Sequence, residues 1–221
     1  MSGNTLAFIG DRTLTWLDGP VIAVVTAVWL YWFTVIVMSF VRRYKTGKRG
    51  AIKPRQQADR WLLRVMALVI IAWNAFPAVA LRKGVPPWGP FEASYEMPLL
   101  AVRWVGAIGA VFCLAVTAYC WYEMGKNWSV AIVEEDEDQQ LVTTGLFRLV
   151  RHPIYALSAL MVVCTAIACA SWPMALVAVI HCTLFRAKAK REEQALVGVF
   201  GEDYTAYMQR TGRFIPRLLS R

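Results

Sequence analysis

The sequence predicts an all-α membrane protein of about five transmembrane helices, the last two forming a helical hairpin. Three observations carry this reading. The 221-residue chain is 57% hydrophobic and only 18% charged, whereas a soluble domain is roughly 45–50% apolar and ~25% charged. Apolar stretches of membrane-crossing length alternate with charged loops. Most basic residues fall on one side of those stretches. The composition excludes a disordered chain and a disulfide-rich mini-protein. No G-x-G-x-x-G occurs, which argues against a soluble dinucleotide-binding domain. No internal repeat or second domain is visible, so residues 1–221 read as a single integral-membrane domain.

Residues 1–20 hold Arg12, Asp11 and Asp18 and no lysine, unlike the basic start of a signal peptide. The first apolar stretch, Val21–Phe40, is therefore expected to stay as a helix. Trp61–Leu81 and Pro98–Tyr122 follow, carrying only Arg64 and Arg103 near their starts. A hydrocarbon core of ~30 Å needs ~20 helical residues, so these three stretches span it. Arg64 and Arg103 can snorkel to the interface. Pro153–Ala170 is marginal in length. Pro173–Phe185 is shorter and follows Ser171-Trp172-Pro173, which reads as the turn of the hairpin. Its second arm leaves the apolar zone early, placing Arg186 to Glu193 at headgroup depth.

The orientation follows from Lys and Arg. Most of the 24 basic residues lie in the 41–60 loop, in the third-to-fourth connection and in the C-terminal tail. Those regions are expected in the cytoplasm, with the N-terminus outside. The net charge of +9 is thus topological, attracting anionic membrane lipids rather than nucleic acid. Cys113, Cys120, Cys164, Cys169 and Cys182 all sit in apolar segments without a C-x-x-C and read as reduced packing residues. Gly106 and Ala110 form a small-xxx-small pair that permits close helix contact.

Polar residues concentrate in two cytoplasmic places, Glu123–Tyr155 and Arg186–Pro216. In the first, the acidic run Glu134–Asp138 reads as a solvated loop, and Val142-Thr143-Thr144-Gly145 as a short extended piece ending in a turn. Pro153 then sits at a favoured first-turn position, which puts His152 at a helix N-terminus. The only other histidine, His181, falls in an apolar helix and reads as structural, so no His-rich metal site is expected. In the second, Lys188 and Glu192 are four residues apart and share a helix face. Charged residues on a helix leaving a membrane are functional candidates.

The motifs resemble those of the integral-membrane methyltransferases typified by isoprenylcysteine carboxyl methyltransferase, with related phospholipid methyltransferases. The matching pieces are Gly125-x-Asn127-Trp128-Ser129, the block from Leu141 through Arg151-His152-Pro153-x-Tyr155, Glu192-Glu193-x-x-Leu196, Phe200-Gly201-x-x-Tyr204-x-x-Tyr207 and Arg213-Phe214-Ile215-Pro216. They cover roughly residues 120–216, the family-like catalytic part. The resemblance implies S-adenosyl-L-methionine as cofactor, held at the cytoplasmic face in a pocket built from the third-to-fourth connection and the C-terminal helix. Carried over by position, Gln139, Gln140, Leu141 and Val142 touch the adenine side and Phe147 lines the pocket. His152, Pro153, Ile154 and Tyr155 hold the nucleoside and methionine parts. Glu192 hydrogen-bonds the cofactor, and Lys188 faces the acceptor.

The chemistry agrees. A sulfonium cation is stabilised by carboxylates and aromatic faces. In-line methyl transfer needs positioning and water exclusion more than acid–base catalysis. The implied function is carboxyl methylation of an isoprenylated or lipid-like acceptor, without a metal. Two positions depart from the family pattern: Phe147 stands where a tyrosine is usual, and Lys188 where arginine is common. Lysine offers a point charge instead of a two-pronged fork, so a phospholipid amine is the alternative acceptor. A membrane sterol-type reductase using NADPH and a non-enzymatic membrane protein are the competing classes. The compact chain favours a bacterial inner membrane.

Overall fold

The computed structural model describes residues 5–9, 12–46, 57–83, 97–125 and 140–217. Among them are five α-helices: α1 (Gly19–Thr46), α2 (Gln57–Lys83), α3 (Met97–Met124), α4 (Pro153–Cys169) and α5 (Trp172–Arg210). Segments of α1, α2 and α3, namely Gly19–Val41, Trp61–Arg82 and Pro98–Met124, are long and apolar enough to cross a bilayer. The 17 residues of α4 reach only ~25 Å at ~1.5 Å per residue. Large apolar side chains such as Phe33, Phe40, Leu68, Val105, Phe112 and Val179 point outward. In a multi-pass membrane protein such a surface meets lipid instead of water.

The all-α expectation needs one correction. An antiparallel hairpin of β1 (Thr5–Ile9) and β2 (Arg12–Thr15) precedes α1. The sequence carries its local cause: Thr-Leu-Ala-Phe-Ile and Arg-Thr-Leu-Thr flank Gly10-Asp11, a pair suited to a tight turn.

The helices pack around buried Val24, Val28, Trp73, Met161, Val162 and Met174. α3 lies tightly against α4. A Cβ added at Gly106 would stand 2.7 Å from the Cys164 carbonyl oxygen and 2.9 Å from the Ala168 nitrogen, so only a missing side chain allows this approach. Arg103 also differs from expectation. It is buried, and its Nε donates to the Ala168 carbonyl at 2.9 Å. The last carbonyls of a helix lack intrahelical donors, and at the end of α4 this guanidinium serves one of them instead of reaching for the interface.

α4 ends at Cys169, one residue earlier than expected. The link to α5 is Ala170, in the left-handed region (φ 47°, ψ 49°), and extended Ser171. Trp172-Pro173 already form the first turn of α5, where proline is at home. α4 and α5 run antiparallel in contact, with Tyr155 against Phe185 and Ser158 against His181. The second arm does not stop at Phe185. α5 runs 39 residues in all, from Trp172 to Arg210, carrying the Glu192-Glu193 pair on the helix that holds the apolar arm.

One residue bends α5. Gly201 has φ 54° and ψ −123° inside the helix, a conformation closed to residues with a Cβ. Gly201→Ala is expected to strain this kink by about 1–3 kcal/mol. A lowered thermal midpoint in detergent would show it; an unchanged midpoint would mean that the bend is not required.

Candidate active site

The site is built where the chain enters α4. Residues Gly145–Arg148 make a short 3-10 turn, tied to the end of α3 by the Thr144 hydroxyl, which donates to Glu123 Oε2 at 2.9 Å. The following residues pair in parallel with the C-terminal tail. Gly212 N–H donates to the Leu149 carbonyl at 3.2 Å, Arg151 N–H to Gly212 at 2.8 Å and His152 N–H to Arg213 at 3.1 Å. The Tyr207 hydroxyl closes the same seam on the Phe147 carbonyl at 2.5 Å. Local sequence explains the geometry. Pro153 lacks a donor and suits the first helical turn, leaving His152 in a non-helical conformation just before α4 (φ −124°, ψ 61°).

Behind this entry lies a buried ionic cluster. Arg151 Nε donates to Glu193 Oε1 at 2.8 Å, and Arg213 Nε and Nη2 donate to Glu193 Oε2 at 3.0 and 2.5 Å. Arg151 Nη1 also donates to the carbonyls of Met208 and Thr211. His152 Nε2 lies 3.3 Å from Glu193 Oε1, close but out of line for a hydrogen bond. Burial pushes the Glu193 carboxyl up, but contact with His152, Arg213 and Arg151 outweighs it and holds the pKa well below the usual carboxylate range.

In front of the cluster stands Tyr155, one turn into α4. Its hydroxyl donates to Glu192 Oε2 at 2.6 Å. Its ring stacks on the His152 imidazole (centroids 5.3 Å, planes 8° apart) and meets Phe185 edge-on at 5.0 Å. Lys188 Nζ sits 4.9 Å from the Tyr155 ring centre, within range of a cation–π contact. Lys188 is half-buried; desolvation lowers its pKa below the ordinary amine value, opposed by the attraction of Glu192. Tyr155 therefore joins the two charged residues of α5.

Of the expected site residues, His152, Pro153, Tyr155, Lys188 and Glu192 come together here. Phe147 is buried at the seam with the tail, and Ile154 packs against the apolar core. Leu141 and Val142 are half-buried on the approach to the 3-10 turn, and Gln140 is exposed. Gln139, the acidic run Glu134–Asp138 and Asn127-Trp128-Ser129 lie outside the described residues. His181 is buried, 3.1 Å from the Ser158 hydroxyl and stacked on Phe185. Among the described residues no group of three or more His, Cys, Asp or Glu is placed to hold a metal. Sequence reasoning gave Arg151, Glu193 and Arg213 no individual role, although all three lie in the quoted motifs. Their signal was opposite charge in separate motif blocks.

The chain is similar to known proteins. Residues 104–198 match the model of the isoprenylcysteine carboxyl methyltransferase family. The chain is 29% identical over 133 residues to a protein-S-isoprenylcysteine O-methyltransferase of Dictyostelium discoideum. That match covers 55% of this chain and 52% of the relative, so it spans about half the length of the curated relative. The fold is similar to the solved structure of the eukaryotic intramembrane Ras methyltransferase, isoprenylcysteine carboxyl methyltransferase, without a monobody. The TM-score is 0.54 at 19% identity, covering 89% of this chain and 67% of that one. The resemblance read from the motifs thus holds in sequence and in fold.

Proposed function

We propose that this chain is a membrane methyltransferase of the isoprenylcysteine carboxyl methyltransferase family. In this reading it uses S-adenosyl-L-methionine to methylate an isoprenylated or lipid-like acceptor at the cytoplasmic membrane face. The observation that carries the proposal is the joining of Glu192, Tyr155, His152 and Lys188 at the start of α4, inside the matched stretch. The Lys/Arg distribution supports the cytoplasmic orientation. The bacterial inner membrane is a reading of the sequence alone; the relative and the solved structure named above are eukaryotic.

The residues present fit the cofactor. Its sulfonium, when bound, supplies an electrophilic methyl group. The Glu192 side chain keeps 26% of its surface accessible, and its carboxylate can attract that cation while Tyr155 holds one oxygen. The stacked His152 and Tyr155 rings offer an aromatic wall to the nucleoside or the cation. Gln139, Gln140, Leu141 and Val142 take the adenine side, with Phe147, Pro153 and Ile154 shaping the pocket. Lys188 meets the polar end of the acceptor while its tail stays in lipid. A carboxylate acceptor attacks as the anion and needs no proton removed. One residue favours the second reading, a phospholipid N-methyltransferase: the Lys188 point charge suits a phosphate.

The test is calorimetric titration of the detergent-purified chain with S-adenosylhomocysteine and, separately, NADPH. Labelled methyl from S-adenosylmethionine is then followed into a synthetic prenylcysteine and into phospholipids. Saturable binding of the homocysteine analogue and labelled prenylcysteine are expected. Binding of NADPH alone would overturn the proposal in favour of a reductase, and binding of neither in favour of a non-enzymatic protein.

A further inference from the structure

The adjacent carboxylates of α5 face different surroundings. Successive helical residues point ~100° apart, so two neighbouring carboxylates need not share the same surroundings. The Glu193 side chain is 6% accessible against 26% for Glu192. Both oxygens of Glu193 are engaged: Oε1 by Arg151 and the neighbouring His152 ring, Oε2 by Arg213. These partners come from two stretches distant in sequence, the entry to α4 and the C-terminal tail. The same stretches form the backbone ladder between 149–152 and 212–213. Glu193 thus fastens three parts of the chain at one point.

That point lies at one end of the His152 ring. The rest of the ring is bounded by Tyr155, stacked at 5.3 Å, and by Phe214, tilted at 6.1 Å. Resting on the cofactor reading above, we infer that Glu193 is a positioning residue: with Arg151 and Arg213 it locks the tail onto the entry of α4 and orients His152 against Tyr155, so that Glu192 can face the cofactor. Removing the negative charge leaves two guanidinium groups facing one another, which loosens the tail and the imidazole together.

The experiment uses the full chain in detergent. Glu193→Gln, Arg213→Gln, Arg213→Lys and the double glutamine variant are compared for S-adenosylmethionine affinity and for tryptic release of the tail. Loss of a charge-assisted contact predicts about tenfold weaker binding for Glu193→Gln, with faster release of the tail. The two glutamine changes break one linkage, so the double variant should bind no worse than Glu193→Gln alone. Arg213→Lys should recover part of the affinity. If Glu193→Gln fails to fold, Arg213→Gln carries the test, because the Arg213 side chain is 32% accessible and lies at the edge of the cluster. A parent that binds no S-adenosylmethionine overturns the cofactor reading, and with it this role. A parent that binds, beside folded variants that bind equally well, overturns the Glu193 assignment alone. A lowered thermal midpoint with unchanged affinity does the same, leaving a structural ion pair.

Discussion

Glu192→Gln is expected to weaken S-adenosylmethionine binding about ten- to hundredfold, since a hydrogen bond to a charged group is worth ~1.5–3 kcal/mol. The structure sharpens this expectation. Glu192 already accepts from Tyr155 at 2.6 Å, so glutamine can keep that bond through its amide oxygen and fold normally. What it loses is the negative charge opposite a cationic ligand. The loss should therefore be larger for S-adenosylmethionine than for S-adenosylhomocysteine, whose sulfur is uncharged. His152→Ala removes the ring stacked on Tyr155, and should weaken both ligands to a similar degree. Calorimetric titration of both ligands against both variants tests this. Unchanged affinity in both variants would remove these residues from the site, and equal losses for both ligands in Glu192→Gln would remove the sulfonium contact.

Much of the helical frame was legible because its causes are local. A run such as Pro98–Tyr122 carries one charged residue, Arg103, and such a run has few ways to fold except across a membrane. That some helix could approach α3 closely was visible in Gly106 and Ala110, since small residues act through what they omit; that the helix is α4 was not. Features set by distant partners were not legible. Nothing near Arg103 states that the end of α4 will offer it a carbonyl. The N-terminal hairpin was outweighed by the helical pattern that follows it. At the site, the spacing of Lys188 and Glu192 was enough to put them on one face of α5. Tyr155 as the group between them required the antiparallel register of α4 against α5, which no local spacing encodes. The burial of Glu193, not Glu192, has the same origin. Glu193 is held by Arg151 at the entry of α4 and by Arg213 of the tail, partners that no local spacing on α5 encodes.

Lys188→Ala is expected to slow methyl transfer at least tenfold, ~1.4 kcal/mol of barrier, while leaving S-adenosylmethionine affinity nearly unchanged. Two facts set this division. Lys188 lies one helical turn before Glu192, just past the apolar arm of α5, where an acceptor with its tail in lipid would present its polar end. Its ammonium rests over the Tyr155 ring at 4.9 Å, a contact that holds the charge beside the site. Alanine removes the charge but leaves the Tyr155–Glu192 bond and the His152 stack intact. Lys188→Arg should retain activity. It should raise activity where the acceptor group is a carboxylate, because a guanidinium fork grips two oxygens at once. The measurement is labelled methyl appearing in a synthetic prenylcysteine and, in parallel, in phospholipids, with calorimetry on the same preparations. A gain for arginine on prenylcysteine alone favours the carboxylate acceptor, and a gain on neither favours the phospholipid. Transfer by Lys188→Ala at the parental rate would reduce the residue to one half of an ion pair with Glu192.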